Sequence, residues 1–429
     1  MGHSATVGGP GRTDKTQSGQ YLAGFRIEPL DCKPRQFHYC EKQMLNRVKT
    51  KESFMADLRD GPAFNRRRFL KSATAAIAMP AIIGRASVAT AQTSFAGEGL
   101  IAVSWSGNYE QVFRETIIDP FNAQYGTKAE TVGGWDQITA QIVAAPADNP
   151  PFDVTVAEEY ISSTGLSQNL YVKTDRSKIP NFDAVYPWFL ETRPDKAKDY
   201  GVPFGGGTCM LMTRKSLGIA PTSWQVMWDD KLAGKVTADG SAWWWTLSVP
   251  AVMSQISPGL DEMYDMSTAE ALFAQLDKLK ISKWFKDGAE QANILNQDEA
   301  DAAMTYSSDA LTFLNDNPGE YEIAVPKEGA SAWADWYFKV RGTKHSDLAD
   351  LFMNYLLAKE TQDRFLAKSM IFMARKDVTV PAHWKGYPAS NDDYHKMFQI
   401  LTMDGWDKIN ANYQAYDDRM KQTIARTTG

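Results

Sequence analysis

The sequence predicts an α/β protein built on parallel sheet and large enough for two domains. From residue 100 onward, short apolar runs alternate with helical segments of about 10–15 residues, the pattern of parallel strands joined by crossover helices. The stretch from 92 to 429, 338 residues, exceeds the size at which a single core stops growing. Ligands of such sheets gather beyond the carboxyl ends of the strands. Trp105 and the segment Glu158-Glu159-Tyr160 fall at such ends.

Leu100–Ser104 reads as a buried strand that ends at Trp105-Ser106-Gly107-Asn108. Tyr109–Tyr125 has helical periodicity, with Val112, Phe113, Ile117 and Phe121 on one side. A strand at Lys128–Val132, a helix at Trp135–Ala144 and a strand at Phe152–Val156 continue the alternation. Pro203–Thr208 breaks it with three successive glycines, which fit a chain crossing between domains or a backbone pressed close to a neighbour. A phosphate cradle would need Gly-x-x-x-x-Gly-Lys-Ser/Thr, which the chain lacks. Cys209–Thr213 is an apolar strand. Helices are expected near Thr268–Leu279 and Glu299–Met304, a strand at Tyr321–Val325, one amphipathic helix at Ser346–Phe365 and a helical end at Asp393–Thr427. There is no internal repeat.

The amino-terminal region reads as an address. Asn65-Arg66-Arg67-Arg68-Phe69-Leu70-Lys71 matches the twin-arginine export pattern, followed by a weakly apolar run, Ala73–Ile83, and by Ala89-Thr90-Ala91, a signal-peptidase site. The run is interrupted by Pro80 and is short of the roughly 20 residues that span a bilayer. Residues 55–91 are therefore expected to be a signal peptide cleaved near Ala91, and 1–54 a mis-assigned start or a disordered extension. Residues 1–91 carry 15 Lys and Arg against 7 Asp and Glu, so of the totals of 46 and 52 the remainder keeps 31 basic and 45 acidic. So acidic a body disfavours nucleic acid and anionic membrane and suits a small cation. Beyond 91 only Cys209 remains, which excludes an internal disulfide and a cysteine-based zinc site. His345, His383 and His395 are too scattered for a metal, and no cofactor is expected.

Several passages carry a family resemblance. Ser223-Trp224 with Trp228–Val236, Ala324–Gly329 with Trp333-Ala-Asp335, the helix Asp347–Gln362, and the short pieces Asp153–Val156 and Met304–Tyr306 resemble, in order and spacing over nearly all of 98–420, the periplasmic solute-binding proteins of ABC importers. The branch most like this chain is the spermidine/putrescine-binding type. The resemblance implies a type II periplasmic-binding-protein fold, two α/β lobes joined by hinge strands with the ligand between them. The lobes would take 92–204 with 334–376, and 205–333 with 377–429. It implies an inner-membrane ABC permease as partner, alongside the twin-arginine translocase during export, and a monomer.

In that family carboxylates hold the amines and aromatic rings sandwich the methylenes. A desolvated ammonium needs an anionic acceptor, and a ring face adds about 1–2 kcal/mol. The resemblance places Trp105, with Ser106 and Tyr109 beside it, at the end of the first strand, and Tyr160 after the third. It makes Tyr306 a pocket aromatic, Trp333 and Asp335 the ring and carboxylate on an amine, and Asp239 the second lobe's carboxylate. Two departures shorten the expected cleft. Ala242 and then Trp243-Trp244-Trp245 stand where a second carboxylate is usual, with Trp244 the ring expected at the ligand, and Glu158 replaces a small hydroxyl residue. Putrescine, a quaternary amine, γ-aminobutyrate or an aminophosphonate then fit as well as spermidine. For a zwitterion, Arg214, Lys215 and the amides of Gly205–Thr208 are the available donors. Each residue also has a structural reading: Asp335 as a helix cap or partner of Lys339, Asp239 as a turn residue before Gly240. A ferric-ion binder would use adjacent tyrosines, which are missing beyond residue 91. An exported enzyme such as a glycosidase would need more than the carboxylate pairs of any acidic protein.

Overall fold

The computed structural model describes residues 94–135, 137–254 and 260–428. The export segment, the leading extension and their cysteines lie outside the described residues. Among those described, no helix is long and apolar enough to cross a membrane.

Eleven strands form one curled sheet: β1 (Gly99–Trp105), β2 (Lys128–Gly134), β3 (Val154–Ala157), β4 (Val202–Arg214), β5 (Val236–Asp239), β6 (Ile281–Phe285), β7 (Ala302–Tyr306), β8 (Tyr321–Ala324), β9 (Ala330–Lys339), β10 (Phe372–Met373) and β11 (Phe398–Ile400). The order is β2-β1-β3-β9-β4-β7-β5-β6, with β8 and β10 on β4 and β11 on β9. Two parallel triplets, β2-β1-β3 and β7-β5-β6, flank a central antiparallel pair, β4 and β9. Both long strands run from one half to the other. β4 pairs with β9 at Val202–Thr208 and with β7 at Cys209–Thr213.

Every residue of β3 and of β5 is buried, as parallel sheet covered on both faces requires. Over the first half lies the helical run Asn108–Phe113, a π turn Arg114–Ile118 and Asp119–Tyr125. Phe113 stacks on Tyr337 of β9 at 5.5 Å. The opposite face of β9 carries Phe338 against Tyr171 at 4.3 Å. A second core gathers around Trp224, Trp243, Leu247, Phe273 and Tyr416. Trp384, Tyr394, Phe398 and Ile400 pack with Trp188 and Phe372 in the first core, although the expected division put 377–429 in the second lobe.

Four local expectations change. Glu299–Met304 is not helical: Ala302–Tyr306 is strand β7, between β4 and β5. Its small residues fit a strand buried in mid-sheet, and tertiary pairing overrides alanine's helical propensity. The helix Ser346–Phe365 is two, Ser346–Leu356 and Lys359–Leu366. The helical end is interrupted by β11 and divides into Asn391–Met397, Met403–Ala411 and Tyr413–Thr427. Pro203–Thr208, which broke the pattern, is the interior of β4.

Both readings of the triple glycine hold there. The glycines lie where β4 crosses between halves, opposite Asp335, Ala334 and Trp333. A Cβ on Gly206 would stand 2.1 Å from the Trp333 carbonyl oxygen, and one on Gly205 2.3 Å from the Phe372 carbonyl oxygen. Backbone atoms cannot step aside as a side chain can. Gly206→Ala is therefore expected to cost about 3 kcal/mol by overpacking and to lower the urea midpoint; an unchanged midpoint would show that the crossing is not this tight.

Candidate functional site

Alternation along β9 puts Trp333, Asp335 and Tyr337 on one face and Ala334, Trp336 and Phe338 on the other. Asp335 is fully buried. Its Oδ1 accepts from Trp105 Nε1 at 2.8 Å and its Oδ2 from the Tyr109 hydroxyl at 3.3 Å. Trp105 is the last residue of β1, and Tyr109 lies in the first turn of the following helix after Gly107 turns the chain at φ 85°. A sharp turn at the strand's carboxyl end thus aims an indole N–H and a phenol at one carboxylate. Both donors are neutral, and no ion pair among the described residues includes Asp335; Lys339, its suggested partner, pairs with Asp350 instead. Burial raises the Asp335 pKa to about 7, against the two hydrogen bonds, which lower it. Burial, with Tyr337 and Asp335 beside it, likewise holds the Tyr109 hydroxyl well above its ordinary value.

The neighbouring part of this face belongs to the other half. Trp333 meets Trp245 at 5.3 Å and Tyr306 edge-on at 6.0 Å. Gly207 is needed beneath it, because a Cβ there would lie 1.9 Å from Trp333 Cζ2. Tyr306 ends β7 and donates its hydroxyl to Asp239 Oδ2 at 2.6 Å. Asp239 Oδ1 accepts from Ser241 N (2.7 Å), Ser241 Oγ (3.0 Å) and Ala242 N (2.9 Å). Asp239 thereby ties down the turn that leads into the helix Trp243–Ser254 and orients Tyr306. Burial beside Asp239 holds the Tyr306 hydroxyl well above its ordinary value.

The sequence-predicted residues thus fall into groups. Trp105, Tyr109 and Asp335 meet directly, and Asp239, Tyr306 and Trp333 form the adjoining group. Ser106 is half-buried beside Glu110, over Gly133 of β2. Glu158 caps the helix Glu159–Ser167, accepting from Tyr160 N at 3.0 Å. Tyr160 stacks obliquely on Trp406 at 5.3 Å, and Trp244 packs edge-on against the same ring at 5.5 Å. Of the Trp243–Trp245 run, Trp245 reaches Trp333, while Trp244, the ring expected at the ligand, lies against Trp406. Trp243 is core, stacked on Tyr416. Of the donors suggested for an acidic ligand end, Arg214 is engaged by Asp298, Asp301 and Glu320, and the Thr208 amide donates to Ser307 Oγ.

Sequence reasoning missed Tyr337, Trp245, Trp406 and Trp135, which stacks on Trp105 at 5.4 Å. The period-2 run Trp333-x-Asp335-x-Tyr337 carried the signal for Tyr337 alone; the others depend on long-range packing. A cavity of about 430 Å³ near Lys128, Asp153 and His345 contains none of these residues and opens at the amino end of β1 and β2. No cluster of three or more metal-ligating side chains occurs among the described residues.

A family described as bacterial extracellular solute-binding protein matches residues 116–422. The chain belongs to that family. It is 20% identical over 277 residues to spermidine/putrescine-binding periplasmic protein 1 of Haemophilus influenzae, covering 63% of this chain and 74% of that one. It is 24% identical over 233 residues to the spermidine/putrescine-binding periplasmic protein of Salmonella typhimurium, covering 52% of this chain and 65% of that relative, just under two thirds. The fold is shared with the spermidine/putrescine ABC transporter substrate-binding protein PotD of Streptococcus pneumoniae, at TM-score 0.64 and 18% identity, over 77% of this chain and 100% of that one. The solute-binding protein described here is therefore a two-lobed α/β protein of the type II class, and β4 and β9 are the strands that join its lobes.

Burial of Asp335 fixes a pH dependence of the ligand-free protein. Its folded pKa, about 7, stands above the ordinary 3.8, so the folded state binds the proton more tightly than the unfolded state. This group's contribution to stability is complete below the lower value and is lost as pH rises through the upper one. Asp335→Asn is expected to raise the melting temperature relative to the parent at pH 8 and to lose that advantage at pH 4. A pH-independent difference between the two proteins would contradict this.

Proposed function

We propose that this solute-binding protein is the periplasmic component of an ABC importer that captures a small amine-containing solute between its lobes and hands it to an inner-membrane permease. The observation that carries the reading is Asp335, a desolvated carboxylate on a lobe-joining strand, held by two neutral donors and flanked on the same face by an indole. A buried anion without a charged partner is costly, and a ligand ammonium is the complement that would relieve it. In this reading Asp335 opposes the ammonium, Trp105 and Tyr109 orient the carboxylate, and Trp333 and Tyr306 supply ring faces to the carbon chain. Asp239 acts through Tyr306 as a positioning residue. The names of the relatives, spermidine/putrescine-binding proteins, support the same ligand class, and those relatives are binding proteins rather than enzymes.

The remaining features belong to this proposal. Residues 55–91 direct export by the twin-arginine route with cleavage near Ala91, and the released protein works as a monomer. The first lobe comprises 92–204 and 334–376 together with the stretch to about residue 400 that packs on it, and the second comprises 205–333 and the helices after 400. Closure bends β4 and β9. With Asp239 committed to its own turn and Tyr306, Asp335 is the principal anchor, which favours a ligand held through one amine: an amino acid such as γ-aminobutyrate, or a short diamine anchored at one end.

Isothermal titration with putrescine, spermidine and γ-aminobutyrate tests this. At least one is expected to bind. Asp335→Asn should weaken it at least about thirty-fold, the lower end for removing one partner of a buried charge pair, and Trp333→Ala by about 2–30-fold, the span of a cation–π contact. Because the carboxylate must be ionised to hold a cation, affinity should fall as pH drops below about 7. Full affinity in Asp335→Asn, or no binding of any amine, would remove the proposal.

A further inference from the structure

Helix Met403–Ala411 is fixed in the second lobe. Its cap, Thr402, accepts from Gly405 N at 3.0 Å, and the Thr402 amide donates to the Tyr264 hydroxyl at 3.0 Å. Gly405 leaves room for the Tyr264 ring, since a Cβ there would stand 2.2 Å from it. This anchoring presents Trp406, only 3% exposed, to Tyr160 of the first lobe and to Trp244 of its own. Ser163 Oγ, one helical turn beyond Tyr160, donates to Asp407 Oδ1 at 3.2 Å, so the contact joins the lobes.

The three rings stand at one flank of the candidate site. Tyr160 follows the carboxyl end of β3, and Glu159 before it accepts from the amide of Ala334, between Trp333 and Asp335, at 3.3 Å. Trp244 precedes Trp245, the ring against Trp333. The aromatic row Tyr160–Trp406–Trp244 therefore bridges the lobes next to the ring and carboxylate assigned to the ligand. The row offers ring faces, and the carboxylates beside it are engaged, Glu158 by the Tyr160 amide and Asp407 by Ser163 Oγ, so a further ammonium there would gain little for its lost water.

We propose that Trp406 determines ligand length: with Tyr160 and Trp244 it closes one end of the cleft and restricts the protein to short amines. This rests on the amine reading of Asp335. A pocket's size and polarity separate ligands differing by a few atoms by about ten- to two-hundred-fold.

The test is calorimetric titration of the full chain with putrescine and with spermidine, in the parent and in Trp406→Ala, Trp406→Leu and Tyr160→Ala. Spermidine affinity relative to putrescine is expected to rise about tenfold or more when a ring of the row is removed. Tyr160→Ala, at a residue only half-buried, keeps the test available if the Trp406 variants melt early. A ratio unchanged in the folded variants, or equal loss of both ligands, overturns the assignment while leaving the amine reading intact. Amine binding that persists in Asp335→Asn strikes the amine reading itself, and the length filter with it.

Discussion

A fully buried carboxylate held by uncharged donors is the constraint around which this protein is arranged. Asp335 lies in the middle of β9, opposite Gly205, where the two lobe-joining strands cross. Its oxygens receive an indole N–H and a phenol O–H, enough to orient the group but not to neutralise it. Burial therefore raises its pKa to about 7, and the charged form is available at the cost of folding stability. A site of this kind attracts a cation most strongly when the surroundings are rigid, because the donors need not reorganise on binding.

That rigidity comes from close approach of backbones. The three glycines of β4 bring it against β9 and β10, so that Trp333 lies over Gly207 without room for a methyl group. The second lobe contributes in a different currency. Asp239 satisfies three donors of its own turn and the hydroxyl of Tyr306, so it is a fixed support rather than a free anion. Two aspartates thus acquire opposite roles, one closed by three donors of its own turn and a phenol, the other left with a single indole and a single phenol. Glu158 goes the way of Asp239, its oxygen accepting the amide of Tyr160 at a helix start.

Much of the fold was legible because it is local. The alternating runs of 100–156 became β1, β2, β3 and their helices within a few residues, and periodicity identified the Val112, Phe113, Ile117 and Phe121 face. What failed depended on distant partners. Ala302–Tyr306 is a strand because β4 and β5 enclose it, and Phe398–Ile400 because β9 is there to pair with; neither has a pattern that excludes helix. In the site, Trp105, Tyr109 and Asp335 were named from family resemblance and do meet. That Trp245 faces β9 was not legible, since which ring of three does so depends on where the helix begins, and Asp239 sets that start. Trp406 lies in the helical tail and could not be placed without the chain fold that returns it to Tyr160.

The most direct test of the central claim is a crystal structure of the protein with the solute it retains from the cell. The account predicts an amine nitrogen at about 2.7–3.0 Å from the Asp335 carboxylate, the range of a charge-assisted hydrogen bond, with carbon chain against Trp333 and Tyr306. A retained solute lacking a basic nitrogen, or one whose nitrogen lies away from Asp335, would contradict it.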